Sequence, residues 1–182
     1  MTLDKSSGAI SGTPTKAASA SVTITAPPQG TTTKNQQTFT LTIHKGAADL
    51  GTLKVTNGGT KTTTFTYGDT ITVSGTIKAS GTAPQANTLA APGKNQAALL
   101  LGGTQLTDPV AVAGNGSFTI SYKTSEKGIQ TTGQAQILTV KYGGSDDLNE
   151  GSAACSITLN PKKVQAEVDG AITKPFDQTA KA

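Results

Sequence analysis

Ser21-Val22-Thr23-Ile24-Thr25 and Phe39-Thr40-Leu41-Thr42-Ile43 decide the fold of this chain. Each alternates apolar and hydroxyl side chains with a period of two. On an extended backbone that spacing puts the apolar set on one face and the hydroxyls on the other. This is the pattern of antiparallel sheet with one dry and one wet face. No apolar run has helical spacing, so the predicted class is all-β, an antiparallel β-sandwich.

Working upstream, Thr2-Leu3-Asp4 and Ala9-Ile10-Ser11-Gly12 flank a turn at Ser6-Ser7-Gly8, and Pro14, which has no N–H to give to a ladder, ends that hairpin. Strands are predicted at 20–26 and 37–43, separated by the Pro27-Pro28-Gln29-Gly30 turn and a polar Thr run. These are too few strands to close a sandwich. Residues 1–45 are therefore expected to be a partial domain whose first strands precede Met1, and to be less stable than residues 50–160. Gly46-Ala47-Ala48-Asp49 reads as a short linker. Downstream, strands are predicted at 50–56, 61–66, 70–78, 97–101, 110–113, 117–123, 135–142 and 153–159, with hairpin turns at Asn57-Gly58-Gly59 and Asn115-Gly116. Ala79 to Gln96, rich in Ala, Pro, Gly and Asn, reads as a long loop of the kind that often carries function. Pro161 marks a boundary. The expected organisation is 1–45, 46–160 and a further start at 161–182.

Composition narrows the function. At 182 residues the chain has room for one large domain or two of sandwich size. Charged residues are only 14%, which excludes a charge-rich disordered chain, and aromatics at 4% leave the core to Val, Ile, Leu and Ala. The net charge of +4 comes from 15 Lys and no Arg, so bidentate reading of bases or phosphates is excluded and no nucleic-acid partner is expected. A lone Cys155 excludes a disulfide within the chain and is expected to act as a small buried hydrophobe. Met1-Thr2-Leu3-Asp4 lacks the basic and apolar regions of a signal peptide, and no stretch is long enough to span a membrane. The chain is then either cytoplasmic or an excerpt of a longer exported protein.

Chemistry-bearing residues are sparse. The single His44 ends a strand beside Lys45 and is expected at the surface, with no second His or Cys to build a triad or a metal site. Asp146-Asp147-Leu148-Asn149-Glu150 carries hard oxygen ligands of the kind Ca²⁺ accepts, but not in the alternating layout of an EF-hand loop, so a solvated turn is expected. Gly102-Gly103 has no Lys-Ser/Thr after it and opens no helix, which excludes a phosphate cradle. Tyr67, Tyr122 and Tyr142 are of a type that stacks sugars, yet core packing is the preferred reading. No catalytic residue, cofactor or metal ligand is expected.

Three stretches carry a resemblance. Leu3-Asp4-Lys5-Ser6-Ser7-Gly8-Ala9-Ile10-Ser11-Gly12-Thr13-Pro14, followed by strands at 20–26 and 37–43, resembles the Ig domains of bacterial surface proteins. Thr66-Tyr67-Gly68-Asp69-Thr70-Ile71-Thr72-Val73, Leu101-Gly102-Gly103-Thr104-Gln105-Leu106 and Leu138-Thr139-Val140-Lys141-Tyr142-Gly143-Gly144 resemble the opening strand, middle turn and penultimate strand of a bacterial Ig-like repeat. Ser145 and Leu148 depart from the Asp and the aromatic usual there. Thr173-Lys174-Pro175-Phe176-Asp177-Gln178-Thr179 is similar to the opening of another surface repeat. The resemblance implies tandem Ig-like modules in a bacterial cell-surface or cell-wall protein, with neighbouring repeats of the same chain as the first partners and an extracellular location. It implies a structural spacer presenting distal adhesive or catalytic domains. The alternative is a ligand-binding module that takes a host protein, matrix protein or glycan on the 79–96 and 143–151 loops. Some Gram-positive Ig-like domains also carry Lys–Asn or Lys–Asp isopeptide bonds. Lys54, Lys78, Lys123 and Lys141 lie on predicted strands, with Asp69 and Asp108 near strand ends, but strand lysines are expected to face water.

Overall fold

A computed structural model of the chain describes residues 1–26, 35–80, 93–126, 129–166 and residue 170. Every regular element in it is a β-strand. The first hairpin pairs β1 (Thr2–Leu3) with β2 (Ile10–Ser11). Its turn is organised by Asp4, whose Oδ1 accepts from the Ser6 hydroxyl at 2.7 Å and the Ser6 N–H at 2.8 Å. Those donors, with Ser7 behind them, hold the Asp4 carboxyl well below the usual carboxylate range.

The second hairpin pairs β3 (Ala18–Ala26) with β4 (Asn35–Ile43) over nine residue pairs, two residues longer at the start of each strand than predicted. Its register explains the alternation. Val22 faces Phe39 and Ala20 faces Leu41 on one side, while Ser19–Thr42 and Thr23–Thr38 hydroxyl pairs close at 3.1 and 2.9 Å on the other. No described residue of 1–44 is buried. The turn predicted at Pro27–Gly30 lies outside the described residues.

The 46–49 segment is not a free linker. β5 (Ala47–Asp49) pairs antiparallel with β10 (Lys78–Ser80), Ala47 is buried and Leu50 is 2% exposed. The strand predicted at 50–56 also breaks: the Asp49 carboxylate accepts from the Gly51 N–H at 2.8 Å and the chain bends before re-entering sheet at β6 (Lys54–Asn57). After β6 come β7 (Thr60–Lys61), β8 (Thr64–Thr66) and β9 (Thr70–Thr76). Following β10 are β11 (Gln96–Leu101), β12 (Thr104–Gln105), β13 (Val110–Ala111), β14 (Ser117–Lys123), β15 (Ala135–Tyr142) and β16 (Gly151–Asn160).

These form two sheets. One runs β14-β9-β6-β7; the other runs β12-β11-β15-β16-β8, with β13 on the end of β11. All pairs are antiparallel except β16 with β8, which run parallel. The inner faces share one core: Val55, Ile71, Val73, Phe118 and Ile120 from the first sheet meet Phe65, Leu99, Leu138, Val140 and Leu159 from the second. This is the architecture of an Ig-like β-sandwich. Gly75 stands opposite Phe118 in the β9–β14 register, and the ring fills the space a side chain would take. Thr124, wholly buried, spends its hydroxyl on the 66–69 turn, accepting from the Gly68 N–H at 2.8 Å and donating to the Asp69 carbonyl at 2.9 Å.

Candidate functional site

The 143–150 loop joins β15 to β16. Ser145 shapes it: its N–H donates to the Leu148 carbonyl at 2.9 Å, and its hydroxyl accepts from the Leu148 N–H at 3.0 Å. The predicted solvated turn proves to be a clasp on the base of the second hairpin. Asp147 Oδ1 accepts from the Ala17 N–H at 2.8 Å, just before β3. The Gly46 N–H donates to the Asp147 carbonyl at 2.9 Å and the Asn149 N–H donates to the Gly46 carbonyl at 2.8 Å, an isolated parallel bridge between Gly46 and Leu148. Lys45 Nζ donates to the Ser145 carbonyl at 2.6 Å, and Asn149 Nδ2 donates to the Lys45 carbonyl at 3.3 Å.

The loop's carboxylates diverge rather than converge. Asp146 is ion-paired with Lys94, and the hydrogen bond and charge of Lys94, with Lys45 farther off, hold its carboxyl below the usual range. Asp147 serves Ala17, and Glu150 lies 3.9 Å from Lys141 Nζ. Among the described residues no group of three or more His, Cys, Asp or Glu side chains is placed to hold a metal. A cavity of about 260 Å³ lies beneath the clasp, lined in part by Pro14, Ile43, His44 and Leu148. His44 is exposed at its rim.

The other flagged residues scatter. Tyr122 and Tyr142 are buried, and the Tyr142 hydroxyl donates to Asn95 Oδ1 at 3.1 Å; Tyr67 is exposed. Cys155 is half-buried on β16 against the core, not fully buried as expected, and burial pushes its thiol up. Lys54, Lys78 and Lys123 face water as expected. Lys141 does not: its side chain is 1% exposed and, among the described residues, Nζ has no hydrogen-bond partner. Asp69 is committed to its own turn, accepting from the Thr66 N–H at 2.8 Å, and Asp108 is exposed. Of the 79–96 loop, residues 79–80 belong to β10 and 96 to β11, while 81–92 lie outside the described residues.

Sequence reasoning missed the clasp. The signal available was the shortness of the path from β4 to β5: only His44, Lys45 and Gly46 separate them, too few residues to let two bodies move freely. The acidic loop was visible and read as a solvated turn, because the backbone that Asp147 engages at Ala17 is 130 residues away.

No curated protein and no solved structure matches the sequence. Residues 1–44 match the family model described as "Putative Ig domain". That match supports an Ig-like domain at the start of the chain, beside the Ig-like sandwich architecture of residues 47–160.

Proposed function

We propose that this protein is a structural spacer, a stalk segment of a bacterial cell-surface or secreted multidomain protein that presents adhesive or catalytic domains farther along. In this reading residues 1–45 belong to an Ig-like domain, 46–160 form an Ig-like sandwich, 161–182 are a linker and the start of a further repeat, and the role is non-catalytic. One observation carries it. The backbone enters the sandwich at Gly46, bridged to Leu148 just before β16, and leaves it at Asn160, the far end of β16. Ten residues of extended strand put those points about 30 Å apart. A unit that takes its backbone in at one end and releases it at the other adds its length to a stalk. The clasp at the first end restricts bending there.

Against the alternative, a ligand-binding module using the 79–96 and 143–151 loops, stands the engagement of part of the second loop by the backbone at Ala17 and Gly46 and by Lys45. The test replaces the segment, in its parent surface protein, by a flexible Gly-Ser linker of equal residue number. The distance of a distal epitope from the cell surface is then read by fluorescence. A clear loss of height supports the spacer. Unchanged height, together with binding of the isolated protein to host matrix proteins or a glycan array, overturns it in favour of the binding module.

A further inference from the structure

Two Asn-Gly pairs stand in turns: Asn57-Gly58 in the β6–β7 hairpin, and Asn115-Gly116 between β13 and β14, which do not pair. The structure holds them very differently. Asparagine is a thermolabile residue, and glycine after it leaves the next backbone nitrogen unhindered. At Asn115-Gly116 both reacting groups are engaged. The Gly116 N–H donates to the Ala113 carbonyl at 2.8 Å, and Asn115 Oδ1 accepts from the Ser117 hydroxyl at 2.7 Å and the Ser117 N–H at 3.0 Å. Gly116 is also seated against the neighbouring backbone: its carbonyl accepts from the Ile77 N–H at 2.9 Å, and a Cβ there would stand 2.2 Å from the Ile77 carbonyl oxygen.

Asn57-Gly58 has none of this. Among the described residues, neither the Asn57 side chain nor the Gly58 N–H has a hydrogen-bond partner. Gly58 and Gly59 turn with φ of 55° and 87°, exposed, with nothing within 4 Å of a Cβ at either. The ribbon beyond them, β6 with β7, is two residue pairs at the edge of its sheet.

We propose that Asn57 is a site of spontaneous deamidation in the folded protein, while Asn115, in the same dipeptide, is protected by its contacts. The Gly58 backbone nitrogen attacks Asn57 Cγ and gives up its proton; the new N–Cγ bond forms as the Cγ–Nδ2 bond breaks, and ammonia leaves. Water then opens the cyclic imide at either carbonyl to give aspartate or isoaspartate. Both products add a carboxylate, and isoaspartate lengthens the backbone by a methylene between Asn57 and Gly58, which shifts the Asn57–Thr60 pairing that holds β7. The modification stands apart from the spacer reading and does not depend on it.

The test ages the full-length protein in mildly alkaline buffer and follows both peptides by mass mapping, where each conversion adds about one mass unit. Folded, Asn57 converts more than about tenfold faster than Asn115, since the contacts at 115 amount to more than one hydrogen bond's worth of restraint. In denaturant the two rates approach each other. Comparable rates in the folded protein, conversion at neither site while the denatured protein converts at both, or a ratio that survives denaturation each overturns the proposal. Asn57→Gln, which cannot close the five-membered ring readily, abolishes the mass gain of its peptide; persistence of that gain also overturns it.

Discussion

Replacing Asp147 by Ala removes the hydrogen bond that its carboxylate makes between the 143–150 loop and the start of β3, and the size of the effect follows from the geometry. Asp147 Oδ1 accepts the Ala17 N–H at 2.8 Å in a partly buried setting. A hydrogen bond to an ionised acceptor contributes about 1.5–3 kcal/mol, so the clasp should open about ten- to a hundredfold more often. The sandwich itself should keep its stability, because the Asp147 carbonyl still takes the Gly46 N–H at 2.9 Å and the side chain lines no core. Amide hydrogen exchange reads this residue by residue. Ala17 is expected to lose protection by that factor in Asp147→Ala and by less in Asp147→Asn, whose neutral oxygen still accepts, while the amides of β14 and β15 hold theirs. If Ala17 exchanges at the same rate in all three proteins, or if β14 and β15 loosen along with it, the clasp is not an independent joint and the reasoning fails.

Three further outcomes can be checked on the same preparations. Gly75→Ala sets a Cβ 2.9 Å from Phe118 Cζ and should cost about 1–3 kcal/mol in urea unfolding, with Phe118→Leu restoring part of it; a neutral Gly75→Ala refutes the tight pairing. Lys141→Met removes a buried ammonium whose nearest acid, the half-exposed Glu150, is 3.9 Å away, and should leave stability unchanged or raise it by about 1–2 kcal/mol; a loss of that size shows that the pair is net stabilising. Burial raises the Cys155 thiol in the folded state, so its contribution to stability is complete below the unfolded thiol's pKa and declines as pH rises through the folded value; a disulfide reagent at neutral pH should react more slowly with folded than with denatured protein, and equal rates contradict that burial.

The strands with strict alternation were legible in the sequence. Ser117–Lys123 and Ala135–Tyr142 begin and end where the pattern does, because a period of two on a half-buried sheet writes itself directly into residue choice. What escaped has a non-local cause. Ala47-Ala48-Asp49 carries no β-branched residue, and it is a strand because Lys78–Ser80 pairs with it and Leu50 is drawn into the core. Lys141 falls on the face of β15 opposite the core residues Val140 and Tyr142, where alternation predicts water, yet it is buried; no parity rule reveals what covers the outer face of a sheet. The parallel pairing of Thr64–Thr66 with Thr158–Asn160 joins segments separated by most of the sandwich, and nothing local encodes it. The 143–150 loop shows the same limit from the side of function: its acids were visible, but not their partners.

The most direct test of the spacer reading is the spread of distances across the joint. Spin labels at Thr40→Cys on the exposed side of β4 and Thr119→Cys on the exposed side of β14, in a Cys155→Ala background, report it by dipolar spectroscopy on the full-length protein. A clasped joint predicts a single narrow distance distribution that broadens in Asp147→Ala. A broad distribution in the parent protein, unchanged by Asp147→Ala, would mean that the hairpins swing freely on the sandwich and that the segment does not hold what it carries at a fixed reach.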